Sequence, residues 1–356
     1  MATEDPQAEK PANAETSRFF DFAGASQRAL ENFPQLRTST IFVNTAAPEQ
    51  KIGGWQAKLA AFLGAHALER RARIAQAEQQ DSSYAFQKER PLGMRSLIYK
   101  PDDHFVESLS SSVPRAQAQS FAFHHELGHL VVKDAHGPMP KGKPYPENAA
   151  DGFATLAHLQ DNKHEVLLPL VNSWARAYRF VASGVPVHMS STSIEAIVAD
   201  NLQGKPQAQG SLAQQAEAYA QAHAPDDEAI DNARYIYGRF RGRGELFPID
   251  EDTQKKLMRF AETALATEDR FAFQVGLTVF RPLLHPEGVE INGVTLRLDA
   301  QTRQDMTDRF ESRAAAFGIQ SLISEWRQNV DSLCEKQSTD QNTPAAAAKP
   351  FKLTIS

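Results

Sequence analysis

The sequence predicts an α+β fold in which a small mixed β-sheet packs on one long helix and a mainly α-helical region follows. Between residues 38 and 132, short β-branched runs alternate with helical stretches, an order typical of a small sheet backed by helices. After residue 163, apolar residues recur at spacings of three and four, the period of amphipathic helices. The 356 residues are enough for one large or two ordinary domains.

Four elements are predicted in the first part of the chain. Residues 38–44 (TSTIFVN) and 95–100 (RSLIYK) are short apolar runs typical of strands, and residues 54–79 predict a long helix. Residues 115–132 contain no proline, and Gly128 is their only helix breaker. Because their apolar side chains cover a wide surface, we expect this last segment to be a buried helix.

This buried helix carries the pattern HELGH at residues 125–129. Residues four apart lie on one face of a helix, so His125 and His129 can bind one metal ion while Glu126 lies beside it. Catalytic zinc sites take three protein ligands and leave one position open, and a carboxylate is a normal third ligand. The sequence therefore predicts a Zn2+ site held by His125, His129 and Glu147, with Glu126 as the catalytic general base.

The acidic residue at 147 directly precedes a second predicted helix, residues 148–160. Glu147 and Asp151 are four apart and face the same way. A metal-bound histidine usually donates its other N–H to a carboxylate that fixes its tautomer, so we expect Asp151 to support a ligand without binding the metal. The alternative for Glu147 is an acid in the first turn that complements the helix dipole.

A longer zinc pattern, HExxHxxGxxH, is excluded by the residues that follow the motif. It requires a glycine and a third histidine where the chain has Val132 and Ala135. His136 misses the second of these positions by one residue.

The two motifs together resemble the gluzincin metallopeptidases, the thermolysin-like class in which HExxH is followed by ExxxD on a second helix. More closely, HHELGHL followed by ENAADGFATL is similar to the ImmA/IrrE-type and related bacterial metallopeptidases, whose pattern is HELGH followed by ExxADxFA. The resemblance covers about residues 38–160. It implies a zinc metalloendopeptidase with these roles: ligands His125, His129 and Glu147, general base or acid Glu126, and supporting carboxylate Asp151.

Two other classes of function stay open at this point. The zinc site could hydrolyse a substrate that is not a peptide, or it could be a structural element of a non-catalytic binding protein. An intact Glu126 favours an enzyme, since a structural zinc site has no use for a base. An oxyanion donor cannot be chosen from the sequence, which offers four residues of suitable type: Tyr145, His158, Tyr178 and His188.

Charge and composition limit the classes of partner that the protein could bind. A formal net charge of −6 argues against a nucleic-acid surface, and the short basic run at 239–243 is typical of a solvated loop. No apolar run is close to the length that a membrane-spanning helix requires. Cys334 is the only cysteine, which excludes a zinc site formed by several thiolates. The polar start of the chain does not resemble a signal peptide. We expect a cytoplasmic protein, or one exported without a cleaved signal, that acts on a protein or peptide substrate and whose oligomeric state is open.

The sequence divides into four parts. Residues 1–35 are largely polar and predicted to be flexible, residues 36–162 form the expected zinc metallopeptidase domain, residues 163–335 are mainly helical, and residues 336–356 have the low complexity of a disordered tail. We expect narrow specificity because a cytoplasmic peptidase must not digest proteins at random. The helical part is either a separate domain or the other wall of the cleft.

Within the helical part, Asn292-Gly293 is a strong turn signal for a hairpin at 288–298. Helices are predicted for the following segments: 190–202, 211–223, 226–240, 250–267, 268–280 and 300–333.

Overall fold

The computed structural model describes most of the chain and has a mixed α+β fold, as predicted. It describes residues 20–47, 51–54, 83–89, 94–110, 112–136, 145–163, 165–186, 189–205, 209–241, 253–291, 293–340 and 350–353. Across these ranges, no helix combines the length and the apolar character needed to span a bilayer.

Helices make up most of the described residues. In chain order they are α1 (Phe22–Asn32), α2 (Leu36–Ser39), α3 (His104–Ser110), α4 (Arg115–His136), α5 (Tyr145–Asp161), α6 (Leu167–Ser183), α7 (Ser191–Leu202), α8 (Leu212–His223), α9 (Asp227–Tyr237), α10 (Thr253–Ala266), α11 (Arg270–Phe280), α12 (Ala300–Ala316) and α13 (Ile323–Asp340). Short 3-10 helices follow α9 and α11 at Gly238–Phe240 and Arg281–Leu284. The strands are β1 (Thr40–Asn44), β2 (Lys51–Gly53), β3 (Tyr84–Glu89), β4 (Met94–Tyr99), β5 (Val289–Ile291), β6 (Val294–Leu296) and β7 (Phe351–Leu353).

The first sheet is mixed and has the strand order β2-β1-β4-β3. β1 and β4 are parallel, and each pairs with an antiparallel outer strand. The strands predicted at 38–44 and 95–100 are therefore confirmed as the central pair. β2 and β3 were not predicted, because β2 is only three residues long and β3 (YAFQKE) ends in polar residues. The long helix predicted at 54–79 lies outside the described residues, apart from its first position.

Aromatic side chains connect this sheet to α4 and α1. Phe123 of α4 contacts Phe42 of β1 and Tyr99 of β4, with ring centroids 6.1 and 6.4 Å apart. Phe22 of α1 stacks on Tyr99 with a centroid distance of 5.2 Å. Arg95 of β4 donates a 3.3 Å hydrogen bond to the backbone carbonyl of Leu130 in α4.

Helix α1 lies within residues 1–35, the segment predicted to be flexible at least through Arg18. Phe22, Ala25, Ala29 and Leu30 are buried on one face of this helix, and the Asp21 carboxylate caps it by accepting the backbone N–H of Gly24. The polar composition of the whole segment concealed the helical spacing of these few apolar residues. Residues 1–19 lie outside the described part of the chain.

The helical part follows the predicted segments, with one division. Residues 300–333 were predicted as one helix but form α12 and α13, separated by a turn in which Gly318 has a φ of +64°. This left-handed conformation is one that glycine adopts without steric cost, so the glycine ends the first helix. The predicted hairpin is present as β5 and β6, with Gly293 at its turn.

The C-terminal strand lies within residues 336–356, the tail predicted to be disordered. β7 pairs in parallel with β5, and Phe351 packs against Trp326 with ring centroids 5.5 Å apart. The Lys352 carbonyl accepts a hydrogen bond from Ser112, just before α4. Alternating apolar residues are enough for a short strand even beside a low-complexity stretch. Helix α13 also continues to Asp340, while residues 341–349 and 354–356 lie outside the described part.

A single hydrophobic core links the parts of the chain. Within the described residues, most buried apolar side chains belong to one cluster that extends from Phe22 to Leu353 and includes residues of α4, α5, α6 and α11. The boundary expected near residue 162 lies in the connection between α5 and α6. The helical part therefore packs against the helices that carry the motifs.

Candidate metal centre

The site is built on the close packing of α4 against α5. A Cβ placed on Gly128 would lie 2.9 Å from the Cα of Ala150 and 3.1 Å from its carbonyl oxygen. Only a residue without a side chain fits this approach of two backbones. The sequence marks Gly128 as a helix breaker, but in the structure it lies inside a continuous helix and allows α5 to approach.

The two helices bring the three predicted ligands together. Glu147 Oε2 lies 3.6 Å from His125 Nε2, and Glu147 Oε1 lies 3.5 Å from His129 Nε2. One donor atom from each residue lies within 4.8 Å of the other two, an arrangement that could hold a metal ion. His125 is buried, whereas Glu147 and His129 are partly exposed, so the cluster is reached from one side.

Asp151 lies where the sequence predicts, behind the first histidine. It is fully buried, and its Oδ1 lies 2.8 Å from His125 Nδ1. Beside a carboxylate, the proton of the neutral imidazole belongs on Nδ1, which donates it. The lone pair of His125 Nε2 then points toward Glu147 and is available to a cation.

A buried arginine and a serine from the helical part complete the surroundings of Asp151. Arg176 Nη2 donates a 3.0 Å hydrogen bond to Asp151 Oδ1, and its Nε lies 2.8 Å from Oδ2. The Ser190 hydroxyl donates to Oδ2. Arg176 Nη2 also lies 3.6 Å from Glu147 Oε2, so one guanidinium is close to both carboxylates. The guanidinium carbon of Arg176 also lies over the ring of Phe105, 5.3 Å from its centroid.

The sequence interpretation missed Arg176 and Ser190. Arg176 lies near the middle of a largely apolar helix, LLPLVNSWARAYRFVAS. A charge in a buried helix requires a partner of opposite charge, and this is the signal that could have identified it. Ser190 gave no such signal, because a serine just before a helix is usually a cap.

Charge and burial set the protonation of the carboxylate and the two histidines. Burial alone would raise the pKa of Asp151, but Arg176 and His125 hold it far below its usual range, so the group is a carboxylate. Burial opposes a charge on His125, yet Asp151 outweighs this effect and raises the pKa to about 9, so a metal ion would have to displace the Nε2 proton of His125 at pH 7. Burial lowers the pKa of His129 to about 4, so this imidazole is neutral at pH 7.

Glu126 lies on α4 between the two histidines and is half-buried. Its charge acts on Arg176, together with Asp151 and Glu147, to raise the pKa of that arginine against the effect of burial. The predicted base is therefore electrostatically part of the same cluster.

Three of the four residues that could donate to an oxyanion have other contacts in the structure, and one of them, Tyr178, packs against Trp174 with ring centroids 5.3 Å apart. The Tyr145 hydroxyl donates to Glu217, and His158 Nε2 lies 2.8 Å from the Glu165 carbonyl. Tyr178 is buried. His188 lies outside the described residues.

Comparison with known proteins adds no relative to this picture. No protein-family model, no curated protein and no solved structure is significantly similar to the chain.

Proposed function

We propose that the protein is a zinc-dependent metallopeptidase of the gluzincin type, with the ImmA/IrrE-like pattern as its nearest resemblance. The observation that carries the proposal is the convergence of His125, His129 and Glu147 together with the Asp151 carboxylate on His125 Nδ1. Two imidazoles and one carboxylate are a donor set of catalytic zinc sites, and the carboxylate behind a histidine is their usual support.

The spacing of the donor atoms suits zinc. Zinc bonds to nitrogen and oxygen are about 2.0–2.2 Å long, so a tetrahedral arrangement puts neighbouring ligand atoms about 3.4 Å apart. His125 Nε2 lies 3.6 Å from Glu147 Oε2 and His129 Nε2 lies 3.5 Å from Glu147 Oε1, and one donor atom from each of the three residues lies within 4.8 Å of the other two, so small side-chain shifts would bring the set to this spacing. Ca2+ and Mg2+ prefer oxygen ligands and fit this nitrogen-rich set poorly.

The proposed chemistry is hydrolysis of a peptide bond. When bound, zinc lowers the pKa of a coordinated water to about 7 and polarises a carbonyl group. The Glu126 carboxylate takes a proton from the attacking water and delivers it to the nitrogen of the leaving amine. His125 would lose its Nε2 proton when a metal ion binds while Asp151 keeps the remaining proton on Nδ1, and neutral His129 needs no proton removed.

The small sheet beside α4 has an edge strand that is suited to binding a peptide substrate. The sheet contacts this helix through Phe123 and through the Arg95 hydrogen bond to Leu130. Within the described ranges, β3 pairs with β4 on one side only, which leaves its other edge open to an extended peptide. Strand addition at a sheet edge is a common way to bind peptides.

The test is a peptidase assay of the full zinc-loaded chain on a broad peptide library. We expect cleavage that a chelator abolishes and zinc restores, and little activity on casein, because specificity is proposed to be narrow. Glu126→Gln should retain zinc and lose cleavage by several orders of magnitude, since only the proton transfer is removed. Glu311→Gln, an exposed change on α12, is the matched control and should cleave normally.

Two outcomes would overturn the proposal. If Glu126→Gln cleaves as fast as the parent chain, Glu126 is not the base. If the zinc-loaded chain cleaves no peptide in the library, the remaining readings are a hydrolase of another substrate or a non-catalytic binding protein.

A further inference from the structure

A cavity of about 450 Å³ lies between α1, α4 and α5, and none of the predicted metal ligands is among the residues that line it. Ala25 and Ala29 of α1, Leu127 of α4 and Phe153 of α5 form its buried apolar part. Phe33, which is partly exposed, lies beside Phe153 with ring centroids 5.9 Å apart. A concave site of this size with apolar walls and a few polar groups is typical of small-molecule binding.

Two exposed side chains of opposite charge line the same cavity. They are Arg28 of α1 and Asp161, the last residue of α5. Both act electrostatically on His124 of α4, so both lie near that side chain. In the part of the chain that the structure describes, neither forms an ion pair, with the other or with a third residue. The cavity therefore offers one cation and one anion to a ligand.

His124 adds a neutral hydrogen-bond acceptor. Its Nδ1 lies 2.8 Å from the backbone carbonyl of Ser120, so this nitrogen carries the proton and donates it. Burial lowers the pKa of His124 to about 4, which keeps the ring neutral at pH 7. Nε2 lies on the other side of the ring and has no hydrogen bond to any described residue, while the side chain lines the cavity. An N–H group of a ligand can donate to it.

We propose that this cavity binds a free α-amino acid with an apolar side chain. Arg28 binds the carboxylate of the ligand, and the ammonium group donates hydrogen bonds to Asp161 and to His124 Nε2. The side chain of the ligand packs against Phe33 and Phe153, which favours an aromatic ring. This site is independent of the proposed function.

A zwitterion fits these groups better than a ligand with a single charge. A simple carboxylic acid would pair with Arg28 and leave Asp161 without a cation, whereas a simple amine would leave Arg28 without an anion. Hydrogen bonds between charged groups are the strong ones, so the loss of either partner should weaken binding about 10-fold or more.

The test is calorimetric titration of the full chain with L-phenylalanine. We expect one molecule bound per chain, with an affinity that Arg28→Gln and Asp161→Asn each lower about 10-fold or more. Arg259→Gln and Asp308→Asn make the same charge changes at exposed positions outside the cavity, so these matched controls should bind like the parent chain.

Two analogues of the probe assign each charge to its partner. 3-Phenylpropionate lacks the ammonium group and L-phenylalaninamide lacks the carboxylate, so each should bind about 10-fold or more weakly than L-phenylalanine. The affinity for 3-phenylpropionate should not change in Asp161→Asn, since the group that Asp161 contacts is absent.

Three results would overturn the proposal. The first is no binding of L-phenylalanine, L-leucine or L-tryptophan, and the second is an unchanged affinity for L-phenylalanine in either Arg28→Gln or Asp161→Asn. The third comes from the His125→Ala, His129→Ala double variant, which should bind L-phenylalanine like the parent chain because the cavity contains neither histidine. Loss of binding there would place the ligand at the metal centre.

Discussion

Gly128 and Ala150 are in backbone contact, and this contact sets how closely the ligand-bearing helices approach. The added methyl of Gly128→Ala would lie 2.9 Å from the Ala150 Cα, so α4 and α5 must separate and move Glu147 away from His129. We expect a loss of about 1–3 kcal/mol of unfolding free energy, typical of overpacking, and weaker metal binding. Thermal unfolding and competition with a zinc chelator measure the two effects.

Gly152→Ala is the matched control for this change, in α5 itself. A Cβ at Gly152 would make only ordinary contacts, the nearest at 3.5 Å from the Ala216 carbonyl oxygen and the Ile197 Cδ1. Because alanine favours a helix more than glycine by about 1 kcal/mol, this variant should be as stable as the parent or more so. If Gly128→Ala binds metal as tightly as Gly152→Ala, the backbone contact does not set the ligand spacing.

Asp151 is expected to support His125 without binding the metal. Asp151→Asn keeps the shape of the side chain but removes the charge that orients His125, so zinc affinity should fall by about 10- to 100-fold. Glu147→Gln removes a ligand and should have the larger effect. Complete metal loss in Asp151→Asn with Glu147→Gln still loaded would show that the two roles are reversed.

Arg176 is expected to contribute more to stability than any exposed arginine, because its removal leaves Asp151 buried without a cation. Arg176→Met should lower the free energy of unfolding by about 3–5 kcal/mol. Adding Asp151→Asn should restore part of this loss, since the uncompensated charge is then gone. Urea denaturation of the single and double variants measures the coupling.

The surface pair of Arg309 with Glu262, 2.6 Å apart, provides the control for Arg176. Its arginine side chain is 40% exposed, so Arg309→Met should cost about 1 kcal/mol or less. If the losses of unfolding free energy caused by Arg176→Met and Asp151→Asn simply add, the two groups do not depend on each other. Arg176 would then not be the cation that compensates the buried charge of Asp151.

The C-terminal strand is expected to be part of the folded structure. Deleting residues 350–356 removes β7 from β5, uncovers Trp326 and leaves Ser112 without its contact to Lys352, so the Tm should fall by several degrees. Deleting only residues 354–356 should leave the Tm almost unchanged. Equal Tm values for both truncations would mean that the strand contributes nothing to the fold.

The sequence predicts best those features that depend on local spacing. The residues His125, His129, Glu147 and Asp151 could be placed because each pair is four apart on a helix, and the two strands at 38–44 and 95–100 because their apolar runs are compact. Arg176 could not be placed, because its contact with Asp151 joins residues 25 positions apart on two helices. The elements α1 and β7 were also missed, because each lies in a long segment of mostly polar or low-complexity composition. Their few apolar residues become buried only through contacts with residues that are distant in the sequence.

Metal content tests the central claim most directly. The full chain should bind about one zinc ion, measured by elemental analysis after dialysis, and the His125→Ala, His129→Ala double variant should bind none while its circular dichroism still shows the helical fold. Stoichiometric zinc in that double variant, or a parent chain that takes up no zinc, would contradict a site formed by His125, His129 and Glu147.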